Sequence, residues 1–375
     1  MMIQMNSLFT RVKRIFLSSF CLLLCKIKHL HTASMLERKE NSTPTFGVEY
    51  CAKDLILYAL AIGMGSSDKD VEKELRFLYE KHPKFRPVPT FCLALTFWAS
   101  KGSGNTCRIP TFPPPLMAEE SVIPKRFLRN EDDLASYPVI HTWQSIVWHQ
   151  SLPTPSSGEC SLGRCDGIIN TSIRSQTVKI IPKSIGTFIT SKSTVFAVDS
   201  TANKLSTICI MKSTALVLGI PSESVIPFES DDVAKTKPKS QIIIGKKALL
   251  EWTYQTLPSQ ALLYRLASGD SNKIHVDDSA SKMLASGNDK PLLHGLFTLA
   301  VAFRALSKVV PLAEERIKRL EGKFSQPAFV GDELRVRIWG TEDESEFLFL
   351  ITNAKSGQTL VNDGVAEFMN LRSNL

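Results

Sequence analysis

The sequence predicts an α+β fold in which antiparallel sheet curves around a long buried helix, and three observations carry that prediction. Between Ser172 and Gly219, apolar and polar residues alternate with β-branched side chains throughout, in runs separated by turn residues, the pattern of half-buried antiparallel strands. From Pro291 onward, Leu292, Leu293, Leu296, Phe297, Leu299, Val301, Phe303 and Leu306 point almost all round a 3.6-residue turn. A helix apolar on every side must be enclosed. Beyond it, strand-like runs return near 324–330, 333–340, 345–352 and 358–369.

Taken in order, residues 1–45 form a leader. Its apolar stretch Ile15–Cys25 is too short for a confident membrane span and fits either a signal-peptide core or an acid-free transit peptide, with a translation start at Met35 as a third option. Residues 53–63, KDLILYALAIG, read as a helix stopped by glycine. A second apolar run, 91–99, follows Pro89. Residues 100–138 and 154–171 are rich in Gly, Ser and Pro and read as inserted surface loops, the second at a hairpin turn. Strand-like runs fill 172–219, and a polar linker occupies 226–240. The helix expected over 291–310 contains Arg304 and is about 20 residues long, so a wrapped sheet encloses it more simply than a bilayer.

Composition excludes several classes. The chain of 375 residues carries a net charge of +8, but residues 1–36 hold five basic and no acidic side chains and so account for five of those eight charges. No basic stripe interleaved with aromatics remains, so no nucleic-acid partner is expected. The eight cysteines, at 21, 25, 51, 92, 107, 160, 165 and 209, form no CxxC pair and no Cys/His cluster at zinc spacing. Reduced thiols and no metal are expected. No dinucleotide fingerprint appears, and no cofactor is expected.

The chemistry concentrates between Tyr264 and Leu306. Asp270, Asn272 and His275 lie within six residues just after Gly269, and Pro-Leu-Leu-His-Gly, residues 291–295, opens the long helix. A carboxylate and an imidazole on one loop can share a water and move protons. A glycine at a helix start can hold an oxyanion on its backbone N–H. The duller reading of the same letters is an N-capping Asp beside a surface histidine.

The block SGDxNxxH followed by DKPxxHGL resembles the hydratase 2 group, the (R)-specific 2-enoyl-CoA hydratases of the MaoC-like hot-dog superfamily. YALAIG (58–63), RFLYE (76–80), PTF (89–91), PSQALLYRL (258–266) and FSQPAFVGDELRVRIW (324–339) extend the likeness in order over roughly residues 46–370. The resemblance implies a double hot-dog, with an N-terminal hot-dog domain over 46–225 and a catalytic MaoC-like one over 241–375, each sheet wrapped around a long central helix. It implies hydration of a trans-2-enoyl-CoA thioester to (R)-3-hydroxyacyl-CoA in fatty-acid β-oxidation, with Asp270, His275, Asn272 and Gly295 catalytic and Tyr58, Glu80 and His294 lining the substrate pocket. The partner is then an acyl-CoA, no membrane span is expected in the mature chain, and a homodimer is compatible with the family. Alternatives are an acyl-CoA thioesterase on the same fold or an acyl-CoA-binding protein with weakened turnover.

Three departures stand out: an extra Ala267 before Ser-Gly-Asp, and Lys273 and Asp278 where the family has proline. Loss of proline leaves the loop less pre-set, and Lys273 is expected to lower the Asp270 pKa. The terminal Ser-Asn-Leu looks like a weakened peroxisomal address, whereas the basic leader points to the mitochondrion.

Overall fold

The computed structural model describes residues 45–66, 71–98, 123–129, 137–155, 168–199, 204–231, 247–277, 279 and 290–370. The expected leader, most of both inserted loops, much of the linker, Asp278, the terminal tripeptide and the cysteines at 21, 25, 107, 160 and 165 lie outside these residues.

The alternating segments fold as read. Strands β3 (Ile169–Lys183), β4 (Gly186–Asp199) and β5 (Lys204–Leu218) pair antiparallel in sequence. On β4 the period of two is literal: Thr187, Ile189, Ser191, Ser193 and Val195 are buried, and the residues between them are not. The C-terminal half supplies β8 (Ile317–Phe324), β9 (Glu333–Gly340), β10 (Glu346–Asn353) and β11 (Thr359–Phe368). Three strands have no counterpart in the sequence reading: β1 (Thr45–Tyr50), β2 (Val139–Trp148) and β7 (Leu250–Gln255).

All strand pairs are antiparallel, and they form one sheet in the order β1-β3-β4-β5-β2-β8-β11-β10-β9-β7, with a short β6 (Phe228–Glu229) on β3. The N-terminal and C-terminal strands are therefore joined edge to edge. The junction is β2–β8, in register from Trp143 opposite Lys323 to Val147 opposite Arg319. Residues 45–375 cluster as one compact unit.

Three expectations need correction. The segment 154–171 is not a hairpin turn, because β2 gives one edge to β5 and the other to β8, and β3 pairs with β1 and β4 instead. The strand expected at 324–330 lies at 317–324. Pro327 has no N–H for a ladder, and residues beyond Phe324 fold back, where the Ala328 carbonyl accepts from Leu293 N at 2.7 Å. Part of each apparent loop is also structured. Ile123 and Phe127 enter a second core with Ile180, Ile189, Val217 and Val225, and Phe228 of the expected linker packs against it.

Helices pack against the sheet and against one another. They are α1 (Ala52–Ala61), α2 (Val71–Leu78), α3 (Cys92–Trp98), α4 (Gln260–Ser268), α5 (Gly295–Leu306) and the short α6 (Ala313–Arg316). Past α1, Gly63 sits at φ 86°, where only glycine is at ease. Helix α5 is the enclosed helix: every residue from Leu296 to Leu306 is buried. Each fully buried Leu or Phe contributes about 1.5–3 kcal/mol. It begins at Gly295 rather than 291, because Leu292 bridges to Phe329 in extended conformation. Arg304 is 1 % exposed and is matched by Glu74 of α2, Nε to Oε1 2.9 Å, with its guanidinium over Trp252 and Tyr254. The N-terminal half holds the shorter α3, entered by a 3-10 turn at Pro89–Phe91. No helix among the described residues is long and apolar enough to cross a membrane.

Candidate active site

Helix α4 aims the first acid. It ends at Gly269, whose φ of 78° is open to glycine and costly to other residues, and the reversal carries the next residue inward. Asp270 is 8 % exposed; its N–H donates to Ser268 Oγ, and its Oδ1 accepts from Asn272 N at 3.1 Å. Asn272 repeats the device: its Oδ1 accepts from Ile274 N at 3.4 Å and caps the 3-10 turn Lys273–His275. Two consecutive side-chain-to-backbone turns thus set His275 beside Asp270.

The imidazole of His275 is held from the other side. Its Nδ1 donates to the Leu292 carbonyl at 2.9 Å, and Leu292 N donates back to Ile274 O at 3.2 Å. Since a carbonyl only accepts, the neutral ring carries its proton on Nδ1 and leaves Nε2 with its lone pair free. The same strap delivers His294, whose ring stacks on His275 with centroids 3.6 Å apart, while Tyr264 flanks it at 4.9 Å. The His294 ring is 1 % exposed, with the Asp270 backbone within its reach. Gly295 follows as the first residue of α5, so its N–H has no intrahelical acceptor and sits at the positive end of a buried helix.

The structure thus brings together Asp270, His275 and His294, one polar side-chain atom from each lying within 4.8 Å of the others, and puts Gly295 next in the chain. Three such donors meet the distance requirement of a cation site. The stacked rings, however, hold their lone pairs in near-parallel planes rather than converging on one point, which suits proton transfer to a water better than chelation.

Burial dominates the electrostatics. The Asp270 carboxyl is raised above its ordinary value by desolvation, against the pull of His275, the Asn272 N–H and Arg265. His275 is lowered by desolvation, against Asp270 and Leu292, and His294 is lowered well below the usual imidazole range by burial and then by His275. Lys273 does not act as expected. It is exposed, it is not among the charges that move Asp270, and the shift runs upward. The extra Ala267 is absorbed as a fully buried residue of α4.

Other expected positions fall elsewhere. Asn272 spends its carbonyl on the loop backbone, where it caps the turn that carries His275. Tyr58 is fully buried, donates to the Thr90 carbonyl at 2.9 Å, and reaches the site only through the ring of Tyr264, 5.9 Å away. Its hydroxyl is thus committed within the protein interior. Glu80 is exposed in the turn after α2 rather than lining an enclosed pocket. Tyr264 and the Leu292 carbonyl were missed. Tyr264 lies inside the quoted PSQALLYRL, but nothing in the letters says which face of α4 meets His294.

The fold and motifs have counterparts. Residues 239–357 match the family model described as MaoC like domain, and residues 48–117 match the MFE-2 hydratase 2 N-terminal domain. The chain is 24 % identical over 336 residues to the peroxisomal multifunctional enzyme type 2 of Drosophila melanogaster, covering 87 % of this chain and 47 % of that one. It is 25 % identical over 297 residues to the peroxisomal enoyl-CoA hydratase 2 of Arabidopsis thaliana, covering 77 % of this chain and 82 % of that one. The chain thus spans about half the length of the fly relative and most of the plant one. A crystal structure of a MaoC-like dehydratase from Phytophthora capsici superposes with a TM-score of 0.68 at 24 % identity, covering 88 % of this chain and 96 % of that one, a likeness of fold.

Proposed function

We propose that the chain, whose residues 239–357 and 48–117 match the MaoC like domain and the MFE-2 hydratase 2 N-terminal domain, is a member of the MaoC-like hot-dog superfamily and reversibly hydrates trans-2-enoyl-CoA to (R)-3-hydroxyacyl-CoA in fatty-acid β-oxidation. The observation that carries this reading is the convergence of Asp270, His275 and the His294–Gly295 helix start in one buried cluster. Names of relatives that include both enoyl-CoA hydratase 2 and peroxisomal support the substrate class and a peroxisomal location.

Each part has a task. The water sits between the Asp270 carboxylate and His275 Nε2, the free lone pair of the locked tautomer. As its oxygen bonds to the β-carbon, one proton leaves to the pair. The electron pair of the double bond moves toward the thioester and collects on its oxygen. There the Gly295 N–H and the α5 dipole stabilise it, at about 3–4 kcal/mol for one such donor. The pair then returns a proton to the α-carbon on the face from which the water came, and one water has been added. Opposite shifts of the two pKa values narrow the gap between acid and base, so the proton can sit on either partner during turnover. The tail of the substrate runs past Leu296 toward α3, where a cavity opens under Leu93 and Phe97.

Incubating the purified chain with crotonyl- and trans-2-decenoyl-CoA, and resolving the product on a chiral column, tests this. The (R)-3-hydroxyacyl ester is expected, with no free CoA. Acyl-CoA binding without hydration, or release of CoA, would replace the proposal with a binding protein or a thioesterase.

A further inference from the structure

Two imidazoles lie face to face beside Asp270, an arrangement that two neutral rings do not favour. The centroids of His275 and His294 are 3.6 Å apart with planes 24° from parallel, so the rings overlap almost fully. Neutral aromatic pairs prefer offset or edge-on contacts with centroids about 4.5–7 Å apart, because their faces carry like partial charge. The neighbouring pairs obey that preference: Tyr264 meets His294 at 4.9 Å and 51°, and Phe297 at 5.8 Å and 74°. A cation over an aromatic face is attracted instead. Full overlap therefore suits the moment at which one of the two rings holds a proton.

The backbone imposes the overlap. His275 is pinned by the Leu292 carbonyl, and His294 follows two residues later on the same strap. Leu292 N and Leu293 N tie that strap to the Ile274 and Ala328 carbonyls. Tyr264, itself fully buried, packs on His294. The His294 side chain makes no cap for α5, so the helix start does not require it. The surrounding groups decide which ring takes the charge. The Asp270 carboxylate and the Leu292 carbonyl both favour the protonated form of His275. The carboxylate is not among the charges that move His294, which burial, His275 and Arg265 all push toward neutrality against the Asp270 backbone. Arg265 acts on Asp270 as well, Lys273 on the same turn is exposed, and burial keeps the Tyr264 phenol protonated.

We propose that His294 is a positioning residue: it lends its ring face to His275 while that ring holds the proton of the attacking water, and takes no proton itself. This differs from the pocket wall that the resemblance implied, and it rests on the hydratase reading for the step it serves. In that step the water oxygen bonds to the β-carbon and its proton passes to His275 Nε2. The imidazolium so formed lies over the His294 face, and a proton then returns from the pair to the α-carbon. His294 gains and loses nothing.

The test compares His294→Leu, which removes the aromatic face at similar volume, with His294→Phe, which restores a face without ring nitrogens. Two measurements are made on each variant and on the wild type. One is kcat and KM for trans-2-decenoyl-CoA across pH; the other is the titration of the His275 ring by NMR of isotope-labelled histidine, assigned with His275→Gln. In His294→Leu the His275 pKa and the acid limb of kcat should both fall by about 1, the worth of a desolvated cation–π contact. There kcat should drop by up to about tenfold with KM little changed. His294→Phe should return most of both. If no enoyl ester is hydrated but the His275 titration still falls in His294→Leu and not in His294→Phe, the hydratase reading fails and the assignment of His294 stands. An unmoved His275 titration in His294→Leu, as a pocket wall would give, overturns the assignment. So does a His294→Phe variant as impaired as His294→Leu, since the ring nitrogens would then be the working part. Where His294→Leu does not melt cooperatively, His294→Gln, which also lacks a ring, carries the same comparison.

Discussion

Asp270→Asn exchanges one carboxylate oxygen for an amide at a position only 8 % exposed, and its two consequences should run in opposite directions. Shape and the local turn survive, because the new Oδ1 can still accept from Asn272 N, 3.1 Å away in the wild type. Proton transfer does not survive. Loss of a positioned acid–base group costs about 10²–10⁴ in rate, or roughly 3–5 kcal/mol of barrier. Stability should move the other way. Burial raises the folded pKa of Asp270 above 3.8, so folding favours the protonated form. Its stabilising contribution is complete below 3.8 and is lost as pH rises through the folded value. At neutral pH the wild type therefore holds a buried carboxylate at a cost that asparagine does not incur. The variant should melt at or above the wild-type temperature near pH 7, with the difference closing as pH falls toward 3.8. His275 acts with the opposite sign, since its folded pKa is lowered: its contribution is present above 6.5 and fades as pH falls below that value. The assays are hydration of decenoyl-CoA and thermal melting across pH. A variant that keeps more than about a tenth of the wild-type rate, or that melts well below wild type at pH 7, would refute the reasoning.

Gly295→Pro removes the proposed oxyanion donor while respecting the helix. Proline is welcome at the first helical position, and His294 at φ −66°, ψ 132° already has the conformation that precedes proline. A Cβ here meets the Phe324 ring at 3.2 Å, so Gly295→Ala supplies the same crowding with the N–H intact. The proline variant should be slower than the alanine variant by about 10²–10³ in kcat, and equal rates would remove Gly295 N–H from the mechanism. Glu74→Gln leaves Arg304 buried without its countercharge and should cost about 3–5 kcal/mol by chemical denaturation. A loss under about 1 kcal/mol would mean that Trp252 and Tyr254 satisfy the guanidinium on their own.

What the sequence made legible follows from how local each signal is. Helix α5 could be read because all-round apolarity has one outcome, and β3 to β5 because a period of two is unambiguous over 15 residues. The nearness of Asp270, His275 and Gly295 could be read because their spacing belongs to one loop and one helix start. Strand β8 could not, since Glu314 to Lys323, EERIKRLEGK, scatters seven charged residues around Ile317 and Leu320 in a way that suits a helix face as well as a strand with one face toward the core. The fusion of the two sheets was hidden because strand pairing between residues 143–147 and 319–323 leaves no local mark. The direction of the Asp270 shift was misread for a related reason: Lys273 is near in sequence but is not among the charges that move Asp270, and desolvation, which depends on the assembled fold, raises it.

The seam between β2 and β8 also governs what dividing this chain would do. A fragment starting at Lys247 would carry Arg319–Lys323 with a row of amides and carbonyls bare, and two such fragments could zip together along that margin. Covalent tethering forestalls that self-pairing and fixes a one-to-one stoichiometry between unlike partners. Each partner is then free to specialise, one keeping the acid–imidazole loop and the other most of the walls of the cavity under Leu93 and Phe97.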